Sequence, residues 1–319
     1  DFCLSRGLGD VYKRQAQALT TFAFNWGFQG DSPAVGLEPM LDGRAIRPFV
    51  YRRLSADAIH AISRTAEHVL QAHTVAWIRD GSPVHRFADP TESWDRQKAL
   101  DFHAAYAFVF LCYGATLLLA RAWTRRLWPD APLFADIAPA FALVLWFYAR
   151  PWFFYDASEL VLLFLSALCI TERRLWLHLP VFLLAVYGKE SDLLLAPIAL
   201  VALRNEVPRP RWLAAGAAHI IGGVAIALVL RGAYAPNAGA PIQLHVADNV
   251  TFWTNWHSYV QFRDVFAPLV RTPSGGNLLL IAAAVGLIAA GWSGSQPIVR
   301  RMLATSLGLT VPLLLLFGA

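Results

Sequence analysis

Four apolar runs, each close to the length that crosses a lipid bilayer, constrain the fold of this chain more than any other feature. They cover residues 103–120, 215–230, 277–292 and 302–319. A helix needs about 20 predominantly apolar residues to cross the hydrocarbon core of a bilayer. With 56% hydrophobic and 15% charged residues, the composition disfavours a soluble globular fold. The sequence therefore predicts an all-α, polytopic transmembrane helix bundle.

The net charge of +5 does not indicate a nucleic-acid partner. The basic residues cluster in short connections beside the apolar runs, where the positive-inside rule places cytoplasmic charge. The partner that this pattern predicts is the lipid bilayer. The four basic connections contain Arg121, Arg125 and Arg126; Arg173 and Arg174; Arg204, Arg209 and Arg211; and Arg300 and Arg301.

These basic connections constrain the path of the chain between Arg174 and Arg204. All four connections lie on one side of a membrane only if two crossings separate each of them from the next. We therefore expect two short helices joined by a turn at Gly188–Asp192, rather than one long helix. The cation and carboxylates of this turn should then lie near the outer surface. The expected helices cover residues 175–188 and 193–203.

Counting crossings in this way predicts about eight membrane segments in one transmembrane domain over residues 16–319, with the first and last segments truncated. Two long connections, 29–101 and 231–276, are expected on the extracytoplasmic side of a cell inner membrane. Within the first, residues 55–73 carry apolar side chains at helical spacing and should form a surface helix. Residues 1–15 resemble translated sequencing-library adapter and are expected to be a non-native artefact.

Charged residues at the outer ends of the expected helices are the first candidate site. Asp156 and Glu159 are three residues apart, so they share one helix face. They either cap that helix or contact a ligand or Lys189, and these roles are compatible. Lys189 and Glu190 either cap a surface turn or mark a site, since ionisable groups at membrane depth are costly. A lysine in this place can neutralise a phosphate as a point charge.

The two long connections hold the other candidates. Arginines of the first connection either form a solvated surface or bind a lipid phosphate, because a guanidinium fork can hold two phosphate oxygens. Nearby carboxylates are candidate general bases, and two tryptophans of the second connection either stack on a sugar or anchor the chain at the interface. The arginines are Arg47, Arg52 and Arg53, the carboxylates Asp31, Glu38 and Asp42, and the tryptophans Trp253 and Trp256.

Four short motifs together resemble a group of bacterial polytopic membrane proteins. They are RPFVYRRL (47–54), PWFFYDASELVLLFL (151–165), ERR (172–174) and YGKES (187–191). The architecture of that group is similar to the membrane half of GT-C glycosyltransferases, which have a long first outer loop and short paired helices at mid-chain. The likeness covers residues 29–205.

This resemblance implies transfer of a sugar from a polyprenyl-phosphate donor to an acceptor at the extracytoplasmic face. Asp31 would deprotonate the acceptor hydroxyl. The leaving phosphate would face Arg52, Arg53 and Lys189, which Glu190 and Asp156 would orient. A divalent metal ion is compatible with this chemistry, although no ligand spacing supports one and no cofactor is expected. Two alternatives stay open: a membrane transporter with its pathway along these charges, and a non-catalytic assembly protein for envelope polymers.

Overall fold

The computed structural model describes Ser32 and residues 36–82, 94–139, 153–242, 244–265, 270–274 and 276–317. The predicted artefact 1–15 and the candidate base Asp31 lie outside these residues. Helices α1 to α4 cover Leu37–Leu41, Arg53–Val69, Ala72–Asp80 and Arg96–Leu127. Helices α5 to α8 cover Asp156–Thr171, Leu175–Gly188, Leu195–Leu203 and Arg209–Ala233. Helices α9 to α11 cover Val246–Thr254, Leu278–Trp292 and Pro297–Phe317.

Two helices of the described residues, α4 with 32 residues and α8 with 25, are long and apolar enough to cross a membrane. Helices α6 and α10 are apolar but shorter, with 14 and 15 residues. A predominantly helical architecture is therefore confirmed. Two candidate spans do not confirm the predicted bundle of about eight membrane segments, and that number stays a prediction.

One short β-hairpin accompanies the helices, and the predicted all-α class is confirmed. Strand β1, Phe262–Val265, pairs antiparallel with β2, Val270–Pro273, and Phe262 lies opposite Pro273. The hairpin belongs to the second long connection. Each strand has only four residues, which is too short for the alternation of polar and apolar side chains that marks a strand in sequence.

The predicted break between two short helices is present. Helix α6 ends at Gly188, because Lys189 adopts an extended backbone with φ −162° and ψ 129°. Residues Glu190–Leu194 form a 3-10 turn, and helix α7 begins at Leu195. The segment is therefore not one continuous helix.

Contacts with α8 show that α6 and α8 run in the same direction. The side chain of His178 in α6 is hydrogen-bonded to His219 in α8. One turn further along both helices, a Cβ on Gly223 would come within 2.8 Å of the ring of Phe182. The pairs follow the same order in both helices, so the two helices are parallel.

Helix α7 runs in the opposite direction along α8. Leu193, just before α7, lies against Gly223, whereas Leu200 near its end lies against Gly216. The order is reversed relative to α8. The chain therefore reverses direction between α6 and α7, as the distribution of basic residues predicts.

Ion pairs bring the basic connections to one end of the bundle. Arg126, at the end of α4, pairs with Glu172 at the end of α5. Glu206, between α7 and α8, binds Arg173 Nε at 2.8 Å and Arg301 Nη2 at 2.6 Å. Residues far apart in sequence therefore meet here, at a place that we call the basic end. This matches the prediction that the four basic connections share one side.

Glu206 should make the stability of the basic end depend on pH. Hydrogen bonds from Arg301 and Arg173 lower the pKa of the Glu206 carboxyl. Because the pKa of the folded state is depressed, this contribution is present above the unfolded-state pKa of about 4.3 and is lost as the pH falls through the folded pKa. We expect Glu206→Gln to cost about 1 kcal/mol at pH 7 and nothing below the folded pKa.

Thermal unfolding of the purified wild type and Glu206→Gln between pH 7 and pH 3 measures this difference. Glu67→Gln is the matched control, since the Glu67 side chain makes no ion pair with a described residue. A destabilisation of Glu206→Gln that is unchanged at pH 3 would show that Glu206 acts through packing rather than charge.

Candidate functional site

Lys189, in the turn between α6 and α7, bonds two carboxylates at the start of α5. Its Nζ lies 2.7 Å from Glu159 Oε2 and 3.1 Å from Asp156 Oδ1. The three side chains are between 10% and 25% exposed, so water screens the attraction only in part. The turn and the mouth of α5 are thereby held together.

Asp156 also binds the backbone at the start of α5. Its Oδ2 accepts a hydrogen bond of 3.1 Å from the backbone N–H of Phe153, while Oδ1 faces Lys189. Tyr155, rather than Asp156, is the N-cap residue of the helix. A negative charge in the first turn also interacts favourably with the helix dipole. Asp156 thus combines the two roles that the sequence left open, a contact at the helix terminus and a contact with Lys189.

Arg52, in the first long connection, is fixed against the same helix mouth. Its guanidinium lies 4.8 Å from the Phe49 ring centroid and 4.6 Å from that of Tyr155, and it donates a hydrogen bond to the Tyr155 hydroxyl. Such cation–π contacts hold an arginine without neutralising it. Burial alone would lower the pKa of Arg52, but Tyr155, Glu190 and Asp156 outweigh it, and the pKa is raised. Arg52 is therefore a fixed, permanently charged group.

Two buried atoms of this region have no hydrogen-bond partner among the described residues. One is Nε of Arg52, and the other is Oε2 of Glu190. Glu190 follows Lys189 directly in the turn, and its charge acts on Arg52. Buried polar atoms in folded proteins are nearly always hydrogen-bonded, so an unpaired donor and an unpaired acceptor mark a candidate ligand site. We call this group the polar cluster; it comprises Arg52, Tyr155, Asp156, Glu159, Lys189, Glu190 and Asp192.

Helix α2 of the first long connection packs over the polar cluster. Ser55 Oγ lies 2.8 Å from Ser158 Oγ of α5, and Asp57 accepts a hydrogen bond from the Tyr187 hydroxyl of α6. Sequence reasoning missed Tyr155, Asp57 and Tyr187 as site neighbours. Their only sequence signal is the proximity of each to a charged candidate.

The other two candidate arginines of the first connection, Arg53 and Arg47, make structural contacts within the fold. Arg53 is 7% exposed, pairs with Asp57 and donates a 2.6 Å hydrogen bond to the carbonyl of Met40. Arg47 donates its backbone N–H to the carbonyl of Ala238, so it joins the two long connections. No ion pair joins either arginine to the polar cluster among the described residues, and their phosphate-binding role stays a prediction.

The other candidates lie in separate contacts. Glu38 pairs with Lys98 at 2.8 Å, and Asp42 pairs with Arg44 at the surface. Among the described residues, no hydrogen bond or ion pair joins these two carboxylates, or the candidate tryptophans, to the polar cluster, and their roles stay predictions. In the second connection, Trp253 lies 6.2 Å from the ring of Tyr259, and Trp256 is 64% exposed beside His257.

A layer of buried apolar side chains closes the polar cluster on the side of the basic end. Leu162 is one turn along α5 from Glu159, and Phe182 and Val186 precede Lys189 in α6. Leu195, at the start of α7, completes the layer, which contains no charged residue. Among the described residues, apolar side chains therefore bound the polar cluster on this side.

Below this layer, three buried side chains form a hydrogen-bond chain across α5, α6 and α8. Ser166 Oγ lies 2.8 Å from His178 Nε2, His178 Nδ1 lies 2.9 Å from His219 Nε2, and His219 Nδ1 lies 2.7 Å from the Ala215 carbonyl. A carbonyl only accepts, so His219 donates through Nδ1, His178 donates to His219, and Ser166 donates to His178. We call this arrangement the Ser–His–His chain; every donor and acceptor in it is satisfied.

No family model, curated protein or solved structure matches the chain. In the described part of the chain, no three His, Cys, Asp or Glu side chains are arranged to hold a metal ion.

Proposed function

We propose that this chain is a multi-pass protein of a bacterial inner membrane. Helix α8 supports this proposal, because only 28% of its most apolar 18-residue window is buried in the protein. Helix α10 is apolar and has no buried residue. Such large exposed apolar surfaces need lipid or another protein to cover them.

The orientation of the protein follows from its two ends. The turn that carries Lys189 is separated from the basic end by helix α6, whose 14 residues span about 21 Å. If the basic end is cytoplasmic, as the positive-inside rule predicts, the polar cluster and the long connections are extracytoplasmic.

We further propose that the protein is a GT-C-like glycosyltransferase that uses a polyprenyl-phosphate sugar. The observation that carries this proposal is the polar cluster: it holds a fixed cation with a free donor and a carboxylate with a free acceptor, and an apolar layer closes it below. Arg52 would bind a phosphate oxygen through Nε, where charge develops as the phosphate leaves. Lys189 would position Asp156 and Glu159 around it.

In the proposed reaction, the acceptor hydroxyl attacks the anomeric carbon of the donor sugar. The bond between that carbon and the phosphate oxygen breaks, and polyprenyl phosphate leaves with the electron pair. Glu190, through its free Oε2, takes the proton of the hydroxyl. Glu190 is a carboxylate of the described residues whose charge acts on Arg52, whereas Asp31 lies outside them.

A transporter is the second candidate, and the charges of the polar cluster favour it. Four carboxyl groups face two cations there, and the two carboxyl groups beyond the number of cations can take up a proton or bind a cation. The apolar layer of Leu162, Phe182 and Leu195 argues against it, because none of the described side chains in this layer is charged. The two functions differ in the ligand that the cluster binds.

Binding of undecaprenyl phosphate, compared with undecaprenol, tests the glycosyltransferase proposal. We expect the purified protein in detergent to prefer the phosphate, and Arg52→Gln to weaken that binding about tenfold or more, because a charge-assisted hydrogen bond is lost. The matched control is Arg44→Gln, an exposed arginine of the same connection that pairs with Asp42. Equal binding of both lipids, or an unchanged affinity in Arg52→Gln, would overturn the donor site and leave the transporter and the assembly-protein alternatives.

A further inference from the structure

Three arginines at the basic end differ from neighbouring arginines in having no carboxylate partner among the described residues. Arg204, Arg209 and Arg211 are exposed and form no ion pair with a described residue. By contrast, Arg126 and Arg173 at the same end are each bound by a carboxylate. An exposed arginine without a partner keeps its full charge for a ligand in solution or at a membrane surface.

The carboxylate nearest to them in sequence is already occupied. Glu206 is the only acidic residue of 204–211, and its two oxygens bind Arg173 and Arg301 from other connections. Both oxygens of Glu206 are therefore already engaged by other arginines. The connection between α7 and α8 presents uncompensated positive charge.

The connection is also held in a fixed shape. The indole Nε1 of Trp212 donates a 2.8 Å hydrogen bond to the carbonyl of Leu200, which ties the start of α8 to the end of α7. The backbone N–H of Trp212 binds the carbonyl of Pro208 at 3.0 Å. A surface that is ordered before binding loses less entropy when a ligand arrives.

We propose that Arg204, Arg209 and Arg211 bind the phosphate groups of anionic lipids in the leaflet at the basic end. A guanidinium holds two phosphate oxygens at once. The position of the connection favours a lipid over free phosphate. It lies between the end of apolar helix α7 and the start of apolar helix α8, beside the half-buried Trp212. In an inserted protein, this position corresponds to the depth of the lipid headgroups. This inference rests on the membrane insertion stated in the proposed function.

Melting of the purified protein in detergent, with added phosphatidylglycerol, phosphatidylcholine or inorganic phosphate, tests the proposal. We expect phosphatidylglycerol alone to raise the melting temperature. The triple variant Arg204→Gln, Arg209→Gln, Arg211→Gln should bind phosphatidylglycerol at least tenfold more weakly, since each basic residue near an anionic surface adds to the attraction. An unchanged melting temperature without anionic lipid would show that the variant is folded.

The matched control removes three paired arginines from the same end: Arg121→Gln, Arg125→Gln, Arg126→Gln. It should keep its affinity for phosphatidylglycerol within about twofold of the wild type, because those charges are already bound by carboxylates. An equal loss in both triple variants, or equal shifts with phosphatidylcholine or inorganic phosphate, would overturn the lipid site. Release of the protein from membranes by alkaline carbonate would overturn the proposed insertion as well, whereas an inserted protein without lipid preference would overturn this inference alone.

Discussion

Replacing Lys189 by methionine is expected to destabilise the protein by about 2–3 kcal/mol. The substitution leaves Asp156 and Glu159 close together with no cation between them. Breaking a fully buried ion pair by removing one partner costs about 3–5 kcal/mol, and these side chains remain up to a quarter exposed, so the expected value is lower. Thermal or denaturant unfolding in detergent measures the change.

Two further variants separate charge from packing. Lys189→Arg keeps the cation and should retain most of the stability. In the double variant with Glu159→Gln, the second change removes a carboxylate that Lys189→Met has left unpaired, so it should restore part of the loss. Destabilisations that simply add would show that Lys189 and Glu159 do not act as a pair.

The sequence predicts the part of the site whose geometry follows from local rules. Asp156 and Glu159 share a face because they are three residues apart, and the break at Gly188 follows from the parity of basic connections. Together these rules place Lys189 at the mouth of α5. The reversal of the chain between α6 and α7 could be predicted because the prediction depends on the positions of basic residues, which the sequence gives directly.

Contacts between the long connections and the bundle could not be predicted in the same way. Arg52 and Tyr155 are 103 residues apart, and no spacing rule connects them. Glu38 was a candidate base on chemistry alone, but the fold brings Lys98 against it. Such pairings depend on how α1 and α2 pack against α4 and α5, which one sequence does not specify.

The Glu206 network and Arg52 use charge differently. At the basic end, Glu206 is shared by two arginines in an exposed network, which contributes little stability but fixes which connections meet. In the polar cluster, Arg52 is held by aromatic rings and keeps a free donor. The Glu206 network neutralises charge, whereas Arg52, like the exposed Arg204, Arg209 and Arg211 beside that network, retains its charge.

Replacing His178 by leucine is expected to cost about 2–3 kcal/mol, because it breaks the Ser–His–His chain at its centre. Two interhelical hydrogen bonds are lost, and Nε2 of His219 is left buried without a donor. The Ser166 hydroxyl can turn to the carbonyl one helical turn earlier, as Thr116 and Thr124 do in α4. Thermal unfolding in detergent measures the loss.

The size of the effect should depend on which member of the chain is removed. Ser166→Ala loses one hydrogen bond and leaves one acceptor of His178 unpaired, so we expect about 1 kcal/mol. The triple variant Ser166→Ala, His178→Leu, His219→Leu removes every group that would be left unpaired. We expect it to be more stable than His178→Leu alone, since an apolar core tolerates the loss of a whole network better than the loss of one partner. A triple variant that is less stable than His178→Leu would show that the histidines stabilise the helices by shape, and not by completing a chain of donors and acceptors.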